Sequence, residues 1–160
     1  DVCSSDLAGG YTLSIPEDKL YQNKDYIMKK IMVLLGGRAA EEIIFGKDHV
    51  TTGAYSDLQR STQLITNMVT EYGMGESLGL LTMAKLKESG LTNQEEVFTE
   101  CKNLISQLYD EVINILTDEK ESLKSITSLL IKKETIDHED LISIIGNTDK
   151  VDDCLLHVTK

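Results

Sequence analysis

Apolar residues recur at helical spacing through most of this chain, and no other feature constrains its fold as tightly. Ile27, Ile31, Leu34 and Leu35 fall on one helix face, and the stripe runs on through Ala39, Ile43 and Ile44. Asn23 stands where a side-chain oxygen can cap a helix beginning at Lys24, and Gly46 stands where that helix would stop. A second stripe, Leu58, Thr62, Ile65, Met68, Val69 and Tyr72, predicts a helix with Ser56 as its N-cap and Gly73 as its terminator. A third, Val97, Cys101, Leu104, Leu108, Val112 and Ile115, predicts the longest helix, opened by Thr92 and Glu95 at capping-box spacing. The acidic run at residues 117–121 marks a bend or a fresh start. Leu123, Ile126, Leu129 and Leu130 then define a fourth helix. Asp137, with Asp140 three residues on, opens a short last one through Leu141, Ile144 and Ile145. Only Tyr11, Leu13 and Ile15 alternate with polar neighbours, which predicts a short strand ended by Pro16, the single proline of the chain. A strand needs partners, and no second strand is legible. The expected class is therefore mainly α, a helical bundle with one short N-terminal β-strand orphaned from its sheet, its long helices antiparallel.

Two glycines inside a helix cost about 2 kcal/mol relative to alanine. Gly36 and Gly37 therefore predict a close backbone approach by another element, the helix that carries Asp57 being the expected neighbour. Residues 74–91, with Gly75, Gly79 and Gly90, read as a connecting loop. Residues 1–7, DVCSSDL, match what a common sequencing adapter encodes when translated, and are set aside from fold reasoning as an artefact. Residues 8–146 form one partial domain, and 147–160 read as a loosely held tail.

At 160 residues, with 41% hydrophobic and 27% charged, the chain has the composition of a globular domain with a real core. Its formal net charge of −11 excludes a binder that tracks nucleic-acid phosphates. No apolar run approaches the length of a membrane-spanning helix. Cys3, Cys101 and Cys154 are odd in number and lack C-x-x-C spacing, so neither a disulfide framework nor a structural zinc site is expected. Cys101 reads as a small core residue in a reducing compartment.

Taken alone, Asp57 is a carboxylate favoured by the positive end of its helix, and Glu41 and Glu42 are solvated charges. His49, His138 and His157 have no ligand spacing. The order of three segments says more: GGYTLSIPEDKLY at residues 9–21, GGRAAEEIIFG at 36–46, and HVTTGAYSDL at 49–58 followed by MVTEYGMGESLG at 68–79. Together with ETID at 134–137 they resemble the FtsH family of ATP-dependent zinc metalloproteases.

That resemblance implies membrane-anchored hexameric rings, homo-hexameric or mixed. In them an ATPase module, using ATP and magnesium, unfolds protein substrates and threads them to a zinc peptidase. The implied setting is the bacterial cytoplasmic membrane, with the peptidase facing the cytoplasm, the anchor lying upstream and this segment soluble by itself. In the family two histidines of an H-E-x-x-H helix and a distant aspartate hold the zinc, an open three-ligand site. The aspartate falls on Asp57. The first glutamate of AEE falls on Glu41, which is expected to orient a ligating imidazole from beside the site. The strand at Gly10, Tyr11, Thr12 and Leu13 corresponds to the edge that binds extended substrate. The H-E-x-x-H motif and the phosphate-binding G-x-x-x-x-G-K-[ST] are both missing, so the segment supplies no catalytic residue and is expected to be inactive alone. Phe98 stands where the family has an aspartate. The alternative reading is a non-catalytic pseudoprotease subunit or a helical assembly or adaptor module.

Overall fold

The computed structural model describes residues 21–91 and 94–146. The expected strand at Tyr11–Ile15, Gly10 to Leu13 with it, and the Thr92 cap lie outside those residues. The described chain is mainly helical, as the apolar spacing predicts. It runs α1 (Lys24–Phe45), two 3-10 turns (Lys47–His49 and Thr52–Ala54), α2 (Tyr55–Thr70), α3 (Met83–Glu88), α4 (Gln94–Asp118), α5 (Lys120–Lys133) and α6 (His138–Ile145).

The core is the meeting of α1, α2 and α4, each of which packs on the other two. Every fourth residue of α1 is buried there: Ile27, Ile31, Leu35 and Ala39. The helix starts where expected, with the Asn23 Oδ1 accepting from the Tyr26 amide at 2.8 Å, and Gly46 closes it at φ +89°. α2 contributes Ile65, Met68 and Val69, and α4 contributes Val97 and Leu108, with Cys101 half-buried against them.

Several expectations need correction. α2 begins at Tyr55, so Ser56 sits inside its first turn and caps nothing. Its buried face carries Ser61 rather than Thr62, which is exposed. The Ser61 hydroxyl donates to the Leu58 carbonyl at 3.0 Å, which satisfies the group where water cannot reach it. Tyr72 lies beyond the helix end and is half exposed. Residues 74–91 are not all loop, because α3 interrupts them and Met83 and Leu78 pack on the core. Gly36 and Gly37 have nothing within 4 Å of where a Cβ would stand, so no neighbour approaches them among the described residues. The close approach falls at Gly75 instead, whose Cβ would stand 2.9 Å from Val69 Cγ1 and 3.0 Å from Glu100 Oε1.

Two carboxylates tie the bundle together. Tyr109 of α4 donates its hydroxyl to Glu42 Oε2 of α1 at 2.7 Å. Burial and that carboxylate push the phenol above its ordinary pKa. Glu42 is thus a packing partner rather than the solvated charge it was expected to be. Glu100 of α4 accepts from the amides of Glu76 and Ser77, at 2.7 and 2.9 Å, and from the Ser77 hydroxyl. It pins the loop after α2 onto α4. α5 and α6 pack on each other and join the rest through α4; neither buries a residue fully. Asp137 opens α6 as expected and forms a capping box with Asp140, and Lys133 reaches Asp140 at 2.6 Å to bind α6 to α5.

Candidate metal centre

The residue with the most chemical promise, Asp57, stands in the first turn of α2. Its side chain is half-buried and makes no hydrogen bond or ion pair among the described residues. A helix N-terminus favours a negative charge, and Asp57 stands in that first turn.

The approach to Asp57 is built on α1. After Gly46 the chain passes the exposed turn Lys47–His49 and reaches Thr51, which caps the second turn, Thr52–Ala54. Every polar atom of Thr51 is engaged. Its amide donates to Glu41 Oε2 at 3.0 Å and its hydroxyl to Glu41 Oε1 at 2.5 Å. Its hydroxyl oxygen also accepts from the Gly53 amide at 3.1 Å. Its carbonyl accepts from Arg38 at 3.1 Å, and Arg38 lies 3.8 Å from Glu41. The Thr51 hydroxyl and amide, with Arg38, hold the Glu41 carboxyl below its ordinary pKa against a small opposing effect of burial. Both Glu41 oxygens are thus spent on Thr51, a partner for which the sequence carries no local signal, since ten residues separate the two. Arg38 escaped notice for the same reason.

The other sequence candidates do not converge on Asp57. His49 is exposed in its turn, and His138 opens α6, which packs on α5. No group of three or more His, Cys, Asp or Glu among the described residues could hold a metal ion. The donor chemistry of Asp57 nonetheless fits zinc as one ligand of a set: an oxygen donor, half-shielded, on a rigid helix start. The remaining ligands would have to come from residues other than those described. No helix of the described residues is long and apolar enough to cross a membrane.

Comparison with known proteins sets this arrangement in context. The family model for peptidase family M41 matches residues 2–144. The chain is 39% identical over 134 residues to an ATP-dependent zinc metalloprotease FtsH of Lachnoclostridium phytofermentans, covering 84% of this chain and 23% of that protein. It is 39% identical over 155 residues to the ATP-dependent zinc metalloprotease FtsH of Bacillus subtilis, covering 88% of this chain and 24% of that protein. With the ATP-dependent zinc metalloprotease FtsH 4 of a Synechocystis species the identity is 37% over 152 residues, covering 86% and 24%. The chain spans about a quarter of the length of these relatives.

Proposed function

The chain belongs to peptidase family M41, and on that premise we propose that it forms part of an ATP-dependent zinc metalloendopeptidase that degrades unfolded or membrane proteins. The observation that carries the proposal is Asp57, a half-buried carboxylate at a helix start that makes no hydrogen bond or ion pair among the described residues. It supplies the third protein ligand of the zinc, beside two histidines of an H-E-x-x-H helix in the full-length protease. Zinc in such a site lowers the pKa of a bound water to about 7. Asp57 itself moves no proton; its role is to close the protein's share of the metal shell. Glu41 supports the site from α1. Gly10, Tyr11, Thr12 and Leu13 offer an edge to which an extended substrate adds by main-chain hydrogen bonds, largely indifferent to sequence. ATP and magnesium act in a separate module, in a homo-hexameric or mixed ring anchored to the bacterial cytoplasmic membrane with the peptidase toward the cytoplasm.

The test is Asp57→Ala in the full-length protease, read as bound zinc, casein cleavage and ATPase rate. Zinc becomes labile and cleavage falls by about 100-fold or more, as loss of a ligand from a three-ligand site demands. ATP hydrolysis survives because its chemistry lies elsewhere. Full zinc occupancy with undiminished cleavage would return Asp57 to a simple helix-start carboxylate. Absence of zinc and of cleavage in the unsubstituted protein would favour the non-catalytic assembly module.

A further inference from the structure

The segment between α1 and α2 has little apolar anchorage. Of residues 46–54 only Ala54 is buried. What fixes its path is polar: the four side-chain and main-chain contacts that Thr51 makes with Glu41, Arg38 and Gly53. The path is also short. Thr51 caps the turn Thr52–Ala54, the Tyr55 amide donates to the Thr52 carbonyl, and α2 begins there, two residues before Asp57. Gly53 belongs to the same device, since a Cβ on it would stand 3.2 Å from Thr51 Oγ1 and 3.8 Å from Glu41 Oε1.

We infer that Thr51, gripped by Glu41 and Arg38 of α1, is a positioning residue that sets where the first turn of α2 presents Asp57 to the metal. The inference rests on the reading of Asp57 as a zinc ligand and adds its mechanism of placement: the Glu41 carboxylate acts on the loop rather than on an imidazole. Asp57 stands only one turn into α2, directly after this exposed connection, so what holds the connection also sets the first turn that carries the ligand, and metal affinity is sensitive to such support, by about 10- to 100-fold when supporting contacts are lost. The clamp is at the surface, so it contributes little to global stability. Ligand placement and fold stability therefore separate under mutation.

The experiment compares Thr51→Val, Thr51→Ser and Asp57→Ala in the full-length protease. Zinc affinity is measured by chelator competition, alongside Tm. Valine matches threonine in shape but deletes the hydroxyl that bonds Glu41 and Gly53. Thr51→Val is expected to weaken zinc by about 10- to 100-fold, while Tm moves by no more than about 3 °C. Thr51→Ser restores the hydroxyl and the affinity. In the chain described here, Thr51→Val speeds hydrogen exchange at the Gly53 and Tyr55 amides and leaves those of Ile31 and Met68 unchanged. Wild-type zinc affinity in Thr51→Val, with zinc lost in Asp57→Ala, would overturn the clamp and leave the ligand standing. Zinc retained in Asp57→Ala would overturn both. A large fall in Tm for Thr51→Val that serine does not repair would make Thr51 a plain structural residue and overturn the positioning role.

Discussion

Glycine shows how far single residues can be read without a structure. Gly36 and Gly37 sit inside α1, and their cost in a helix is a sound reason to look for a neighbour. Among the described residues nothing stands within 4 Å of a Cβ on either, while Gly75, unremarkable in a glycine-rich stretch, is under pressure from Val69 and Glu100. Composition identifies a missing Cβ but not what stands opposite it. The two positions respond oppositely to alanine. Gly37→Ala raises the stability of this chain by up to about 1 kcal/mol, because it only removes backbone freedom from the unfolded state. Gly75→Ala lowers it by about 1–3 kcal/mol through crowding against Val69. Thermal melts of the two variants decide the matter, and a destabilising Gly37→Ala would mean that α1 is covered on that face. Asp57 sits at the same limit of legibility. Its residue type and position suggest a helix-start charge, and only the resemblance of TTGAYSDL to a family motif singles it out. Thr51 and Arg38 lie in the same resembling segments, TTGAYSDL and GGRAAEEIIFG, but nothing in those strings says that the two meet each other and Glu41.

At the scale of elements, the long helices were readable because an amphipathic stripe is a local property, repeated every three or four residues. α3 was not, since its six residues are too few to establish a period between glycines. The ties between elements are harder still, because they join residues far apart in sequence. Glu100 illustrates this, lying 23 and 24 residues from the Ser77 and Glu76 amides it accepts from. Burial works to raise its pKa, but the Ser77 hydroxyl, the two amides and Lys24 outweigh that and hold it below the ordinary glutamate value. A carboxylate with a lowered folded-state pKa stabilises the fold above its unfolded pKa, and loses that contribution as pH falls through the folded value. The stability gap between the wild-type chain and Glu100→Gln is therefore widest near neutral pH and closes below about pH 4.5. Tm measured for both proteins from pH 7 to pH 3 gives the result directly. A gap that stays constant across the range would show that the negative charge of Glu100 does not hold the loop.

Seen whole, the molecule divides into a core and an arm, and periodicity could not have drawn that line. An apolar stripe says that a helix has a face to cover; it does not say what covers it. The stripes of α1, α2 and α4 meet one another. Among the described residues that of α5 meets chiefly α6 and, more slightly, α4, and Leu130, Ile131 and Ile142 remain 43%, 77% and 37% exposed. Since hydrophobic stabilisation scales with the apolar area withdrawn from water, stability is concentrated in residues 24–118, with the arm adding little. Ending the chain at Asp118 tests this. The shortened protein should melt cooperatively, with Tm within about 4 °C of the full chain, because neither α5 nor α6 holds a fully buried residue. Hydrogen exchange in the full chain should agree: amides of α5 and α6 open locally at low cost, whereas those around Ile31, Met68 and Leu108 exchange only with global unfolding. A truncated chain that loses its cooperative transition would show that α5 and α6 supply stability to the core through α4, and the division into core and arm would then be one of shape alone.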